Sequence, residues 1–229
     1  MLYRALATDY DGTLAERGAV DSATLDALRR LRDTGRKILL VTGRELEELH
    51  DVFPEVGICD CVVAENGALL YWPASGEIRP LATAPPLEFI EELRRRGVDR
   101  MSVGRVVVAA WRPADEIIET VIHRQRLDLR IIYNKQAAMV LPGGIDKGSG
   151  LRVALAALGL APADVVAVGD AENDRPLFTT CGYAVAVANA LPELKPHADL
   201  ITNGERGAGV RELIERLLDG ALGPVSRQP

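Results

Sequence analysis

Four kinds of residue are scarce in this 229-residue chain, and each scarcity excludes something. Cysteine occurs three times, as Cys59, Cys61 and Cys181. That is too few for a paired framework and suits a reducing compartment. The Cys59-Asp60-Cys61 stretch has no histidine beside it, so buried apolar thiols are a simpler reading than a metal clasp. The three histidines, His50, His123 and His197, are widely separated and give a His-based zinc site little to work with. The ten aromatic residues (4%) offer few platforms for stacked bases. With 27 basic against 33 acidic residues, the formal charge of −6 supplies no general basic face for nucleic acid.

Lysine is scarce as well. Lys37, Lys135, Lys147 and Lys195 are the only four, and arginine makes up the rest of the 27. Arginine suits forked recognition and lysine supplies a compact point charge, so a lysine in a special setting carries information. No apolar run approaches the ~20 residues of a membrane span. Met1 leads directly into a strand-like segment with no signal peptide. The expectation is a cytoplasmic protein with neither nucleic acid nor membrane as partner, and either monomeric or homodimeric.

What is present is an ordinary globular composition, 48% hydrophobic and 26% charged, of a length for one or two domains. Apolar runs of strand length alternate with helical periodicity. Residues 2–8 read as a buried strand and 22–34 as an amphipathic helix, with Ser22 as its N-cap and Gly35 as its stop. Lys37–Val41 (KILLV) has the composition of a strand buried on both faces. A helix at Arg44–Val52, a strand at Asp60–Ala64 and a hairpin at 68–72 and 77–81 follow, turned by Pro73-Ala74-Ser75-Gly76. This β-α-β-α-β order implies a parallel sheet with helical crossovers.

Near residue 84 the pattern changes. Pro85-Pro86 opens a helix reaching Arg96, Ser102–Trp111 is strand-like, Pro113–Arg126 is helical, and Leu129–Tyr133 and Ala137–Leu141 are two paired strands. After Pro142-Gly143-Gly144 the first pattern resumes. A helix at Lys147–Leu158 and a strand at Val165–Val168 come first. Arg175–Thr180, Ala184–Val187 and Gly209–Leu218 follow as helix, strand and helix, ahead of a frayed tail at 220–229. The expected organisation is a doubly wound α/β core, residues 1–83 and 143–229, interrupted by a small inserted α/β module at 84–142. In such sheets the site lies beyond the carboxyl ends of the strands, where an insert of this kind can cover it.

Polar residues gather at those strand ends. Asp9-Tyr10-Asp11-Gly12-Thr13-Leu14 follows the first strand, and positions 9 and 11 project to one side. Two carboxylates there repel unless something cationic joins them. Gly169-Asp170-Ala171-Glu172-Asn173-Asp174 follows a second buried strand, and oxygen donors of this kind favour Mg²⁺. Val41-Thr42-Gly43-Arg44 joins a hydroxyl to backbone N–H groups at a helix start, which makes a cradle for anions. Lys147 opens a helix, a position the macrodipole disfavours for a cation, so it asks for an anionic neighbour. Each piece also has a plain structural reading: an Asp-Gly turn, a capping aspartate, a capping threonine, a surface lysine.

In this order the four motifs resemble those of the haloacid dehalogenase-like phosphohydrolases. The placement of the insert resembles the subclass with an α/β cap (subclass IIB), and Glu65-Asn66-Gly67-Ala68 resembles a segment common there. Length and small insert resemble the archaeal-type phosphoglycolate phosphatases. The resemblance implies a Rossmann-like core and a Mg²⁺-dependent phosphomonoesterase acting on a small phosphorylated metabolite, phosphoglycolate or a sugar phosphate. It implies Asp9 as nucleophile and Asp11 as general acid and base. Asp9, Asp11 (through its carbonyl), Asp170 and Asp174 would hold the metal, and Thr42, Gly43, Lys147 and Asn173 the phosphate. Candidate substrate contacts are Arg44, Asn66, Arg112 and Lys135, with Tyr133 and Asn134 nearby. The same motifs also permit a phosphotransferase or phosphomutase of phosphomannomutase type. A non-catalytic phosphate-sensing module shares the acidic pocket and lysine but needs no insert.

Overall fold

A computed structural model describes residues 3–223, so the expected tail beyond residue 223 lies outside the described residues. The chain opens with β1 (Ala5–Thr8), α1 (Ser22–Asp33), β2 (Lys37–Val41), α2 (Leu46–Val52), β3 (Cys61–Ala64), β4 (Leu69–Trp72) and β5 (Glu77–Pro80). It continues through α3 (Leu87–Arg95), β6 (Met101–Val103), β7 (Val108–Trp111), α4 (Asp115–Gln125), β8 (Leu129–Asn134) and β9 (Ala137–Pro142). It ends with α5 (Lys147–Ala157), β10 (Val165–Gly169), α6 (Arg175–Thr180), β11 (Tyr183–Ala186), β12 (Leu200–Ile201) and α7 (Arg206–Leu218).

The large sheet has eight strands in the order β12-β11-β10-β1-β2-β3-β4-β5. Pairing is parallel from β12 to β3, and β4 and β5 add an antiparallel edge. This is the doubly wound α/β arrangement, with β1 where the winding reverses. The strands next to β1 are continuous apolar runs because helices cover both faces: β1, β3 and β10 are buried at every position. The reversal opens a crevice beyond the carboxyl ends of β1 and β10, whose register brings Thr8 opposite Val168.

The small sheet, ordered β6-β7-β9-β8, is antiparallel throughout. Its two faces alternate with period two. Val108, Ala110, Ala138 and Val140 pack on Phe89, Leu93, Ile118 and Val121 of α3 and α4. Val107, Met139 and Leu141 face the other way and cluster with Ala68 from the large sheet's loops.

Three local expectations are corrected. Ser102–Trp111 is a hairpin, broken at residues 104–107, where the Gly104 N–H donates to the Val107 carbonyl at 2.9 Å. The N-cap of α1 is Asp21, whose carboxylate accepts from the Thr24 N–H; Ser22 is the first helical residue. The last helix begins at Arg206, ahead of Gly209. Strand β12 adds a pairing too short to show periodicity. Burial pushes the Cys61 thiol up to about 12 and that of Cys59 higher still, so both are inert apolar fillers.

Candidate active site

The site is built where four strand ends meet. Asp9 follows β1, and its N–H donates to the Val168 carbonyl at 3.0 Å, which pins the turn against β10. Gly12 has φ +90°, and a Cβ there would lie 2.5 Å from an Asp170 oxygen, so glycine alone fits between the two acidic loops. Thr13 donates its hydroxyl to Asp170 Oδ1 at 3.1 Å. The 170–174 loop closes on itself, with Asp174 Oδ2 accepting the N–H groups of Asp170 (2.9 Å) and Ala171 (3.0 Å).

Lys147, the first residue of α5, is buried. Its ammonium donates to Asp9 Oδ1 and to Asp174 Oδ1, both at 2.6 Å. The cation that the helix start disfavours is held by these two carboxylates, and Asp146 caps the helix by accepting from the Ser149 N–H. Gly67 lets this helix approach: a Cβ there would fall 1.9 Å from the Asp146 carbonyl oxygen.

Asp9, Asp170 and Asp174 are all buried, with carboxylate oxygens within 4.8 Å of one another. Burial holds the Asp9 carboxyl well above its ordinary range; the charges of Asp174 and Asp170 add to this, and Lys147 pulls the other way. Burial also raises Asp170, while the Lys135 hydrogen bond lowers it. Burial lowers Lys147, but Asp174 and Asp9 outweigh it and hold the ammonium above its usual range. Three buried carboxylates thus face two ammonium groups, Lys147 and Lys135. This excess of hard, anionic oxygen donors fits a divalent metal ion.

Around this centre, Thr42 is buried and accepts the Arg44 N–H on its hydroxyl at 3.1 Å. Asn173 donates to Asn66 Oδ1 at 2.9 Å, and its own side-chain oxygen is buried without a partner. Asp11 is forked by Arg44, with Nε to Oδ2 at 2.6 Å and Nη2 to Oδ1 at 2.8 Å. From the small sheet, Lys135 in the β8–β9 turn reaches Asp170 Oδ2 at 2.8 Å. A cavity of about 270 Å³ opens beside Asp9 and Asp11, with Gly43, Arg44 and Asn134 on its walls. Its far wall is the face of the small sheet turned from α3 and α4: Val107, Ala109, Ala137 and Met139.

Arg112 does not join them. It pairs with Asp115 at 3.2 Å, stacks over Tyr133 and lines a separate cleft with Pro113 and Ile117. Tyr133 donates to the same Asp115 and lines a third cleft. Both follow the strand's alternation to the outer side, which a position near a strand end does not reveal. Met139, whose sulfur accepts from the Asn66 amide, and Glu65 were missed by sequence reasoning. The unbroken apolar run Ala137–Leu141 marks a strand but not which face Met139 takes.

Carboxylates that could hold a metal ion and a buried lysine lie together beyond the carboxyl ends of a doubly wound sheet, the place where α/β enzymes keep their centres. A family model of haloacid dehalogenase-like hydrolases matches residues 6–104 and 106–214, and the chain belongs to that family. It is 30% identical, over 94% of its length and 99% of the relative's, to a phosphoglycolate phosphatase of Methanothermobacter thermautotrophicus. A solved structure of a Thermoplasma acidophilum protein superimposes with a TM-score of 0.82 at 19% identity, covering 95% of this chain and 99% of the other. A sugar phosphatase of subclass IIB superimposes at 0.74 and 18% identity, covering 96% and 100%. The chain is a phosphoric monoester hydrolase of the haloacid dehalogenase-like family, and the non-catalytic module is not favoured. Among the described residues no helix is long and apolar enough to cross a membrane.

Proposed function

We propose that the chain is a Mg²⁺-dependent phosphatase that hydrolyses a small phosphate monoester, phosphoglycolate or a sugar phosphate, through a phosphorylated Asp9. The observation that carries this reading is the buried Lys147 ammonium, bonded at once to Asp174 and to Asp9, which itself lines a cavity sized for a small ester. Residues 84–142 act as the cap, and residues 1–83 and 143–229 as the catalytic body.

Asp9 attacks phosphorus with a carboxylate oxygen, forming an acyl-phosphate bond as the bond to the leaving oxygen breaks. Asp11 gives the leaving oxygen its proton, then takes one from the water that attacks the acyl phosphate; inorganic phosphate leaves and Asp9 is regenerated. Because Arg44 occupies both Asp11 oxygens, this role requires the fork to open as substrate enters. Thr42, the Gly43 N–H and Lys147 receive the phosphoryl oxygens, whose charge must be met during transfer. Asn173 orients that group or Lys147 through its unpartnered oxygen. Asp9, Asp170, Asp174 and the Asp11 carbonyl would hold Mg²⁺, which when bound offsets the repulsion between these carboxylates and a phosphate dianion. Of the contacts from the cap, Lys135 supplies a cation near the leaving group.

The test is a phosphate-release screen over phosphoglycolate and sugar phosphates, with and without EDTA. Release that EDTA abolishes and Mg²⁺ restores is the expected result. Release that persists after exhaustive chelation sinks the metal assignment, and silence across the panel sinks the substrate class.

A further inference from the structure

We propose that Glu65 is a positioning residue that anchors the residue 104–107 turn of the small sheet and so sets the wall against which the leaving group rests. It lies outside the reacting groups named above, but its effect on turnover rests on the phosphatase reading. Glu65 follows β3 and is completely buried. A buried carboxylate is costly unless hydrogen bonds replace its water. Here three main-chain donors do so. Oε1 accepts the Arg105 N–H at 3.0 Å, and Oε2 accepts those of Val106 at 2.7 Å and Val107 at 2.8 Å.

Three further observations show that the contact is built for. Gly104 leaves room for the carboxylate, since a Cβ there would lie 2.9 Å from Glu65 Cδ. Glu65 and Asn66 both hold left-handed backbone, φ +51° and +54°, a conformation that is costly for non-glycine residues and persists only where the surroundings impose it. The main chain of Glu65 is tied in turn to the loop after β2, its N–H donating to the Arg44 carbonyl at 3.0 Å. One residue therefore links the Thr42–Arg44 cradle to the turn between β6 and β7. Beyond that turn stand Val107, Ala109 and Trp111 on the cavity wall. Two rim contacts flank the anchor: Glu47 pairs with Arg105 at 2.6 Å, and Ser102 donates to Glu45. Neither is buried as Glu65 is.

The wall touches what phosphate is attached to, and the cradle touches phosphate itself. Loosening the wall separates the two affinities. The experiment compares wild type with Glu65→Gln, whose amide turns one acceptor into a donor facing N–H groups. Amide hydrogen exchange should accelerate roughly tenfold or more at Arg105, Val106 and Val107, while the strands of the large sheet keep their protection. KM for phosphoglycolate should rise roughly tenfold while inhibition by inorganic phosphate stays within about twofold. Unchanged exchange at the three amides, or KM and phosphate inhibition rising together, overturns the proposal. If Glu65→Gln does not fold, Gly104→Ala displaces the same turn with the carboxylate in place, and the same split is expected. The exchange measurement uses no turnover, so it stands or fails apart from the phosphatase assignment.

Discussion

In the large sheet the strands beside the site are buried on both faces, whereas β8 of the small sheet is half-exposed along all six residues. The large sheet places Asp9 and Asp170 by backbone pairing and close packing, which leaves their positions little freedom. The small sheet meets the body through one small apolar cluster, Val107, Met139 and Leu141 with Ala68, and through polar contacts at its turns: Glu65 with three amides, Arg105 with Glu47, and Lys135 with Asp170. Groups that make and break bonds need fixed distances, and a wall that selects among leaving groups tolerates adjustment. Under the proposed function, the comparison separates a scaffold for chemistry from a scaffold for choice.

The largest expected effect lies on the large sheet. Asp9→Asn should cut phosphate release by roughly 10⁴-fold or more, with circular dichroism unchanged. Substantial residual turnover would show that the buried strand end does not supply the nucleophile. Next is Lys147→Ala, expected to lower kcat/KM by roughly 10²–10³-fold and to weaken inorganic phosphate binding. It also leaves Asp9 and Asp174 facing each other, so in EDTA the variant should be less stable by about 3–5 kcal/mol, as measured by urea unfolding. A variant as stable as wild type in EDTA would contradict the charge balance described above.

Stability gives a subtler contrast. Leu39→Ala, within β2, should cost about 2–5 kcal/mol. Leu129→Ala, on the half-buried β8, should cost about 1 kcal/mol. Equal losses in urea unfolding would erase the distinction between the two sheets. The smallest effect concerns the α1 cap. Burial pushes the Asp21 carboxyl up, but its hydrogen bonds from Thr24 and the charge of Arg211 outweigh that and hold it below its ordinary range. A lowered carboxyl stabilises the fold above its unfolded pKa and loses that contribution as pH falls through the folded one. Asp21→Ala should therefore cost about 1 kcal/mol at neutral pH. The gap from wild type should shrink in acid, and a gap that stays constant with pH would count against the cap.

The contrast also explains what the sequence reveals. Strands such as Lys37–Val41 announce themselves because double-sided burial demands unbroken apolar runs, and an acidic residue just past such a run stands out. The order of elements, the double winding and the four motif loops were legible on that basis. The small sheet was harder. Ser102–Trp111 reads as one strand because its turn carries no proline or Asn-Gly signal; the bend is held by Glu65, 40 or more positions away, a contact that no local pattern encodes. Arg112 was a candidate from its place near a strand end, but pleating turns it toward Asp115. Ser22 and Asp21 are both good caps, and only geometry chooses between them.

Parallel pairing of β1 with β10 has a consequence for how the molecule is made. Asp9 is synthesised before the small sheet and Asp170 after it. Until β10 emerges, β1 has a neighbour on only one side, and Asp9 lacks the carboxylates of Asp170 and Asp174 that complete the cluster. A chain still on the ribosome at residue 140 therefore carries Asp9 and most of the cavity wall, yet no assembled centre. The adjacency that fixes the finished centre also leaves it unassembled until the segment after β10 has been synthesised.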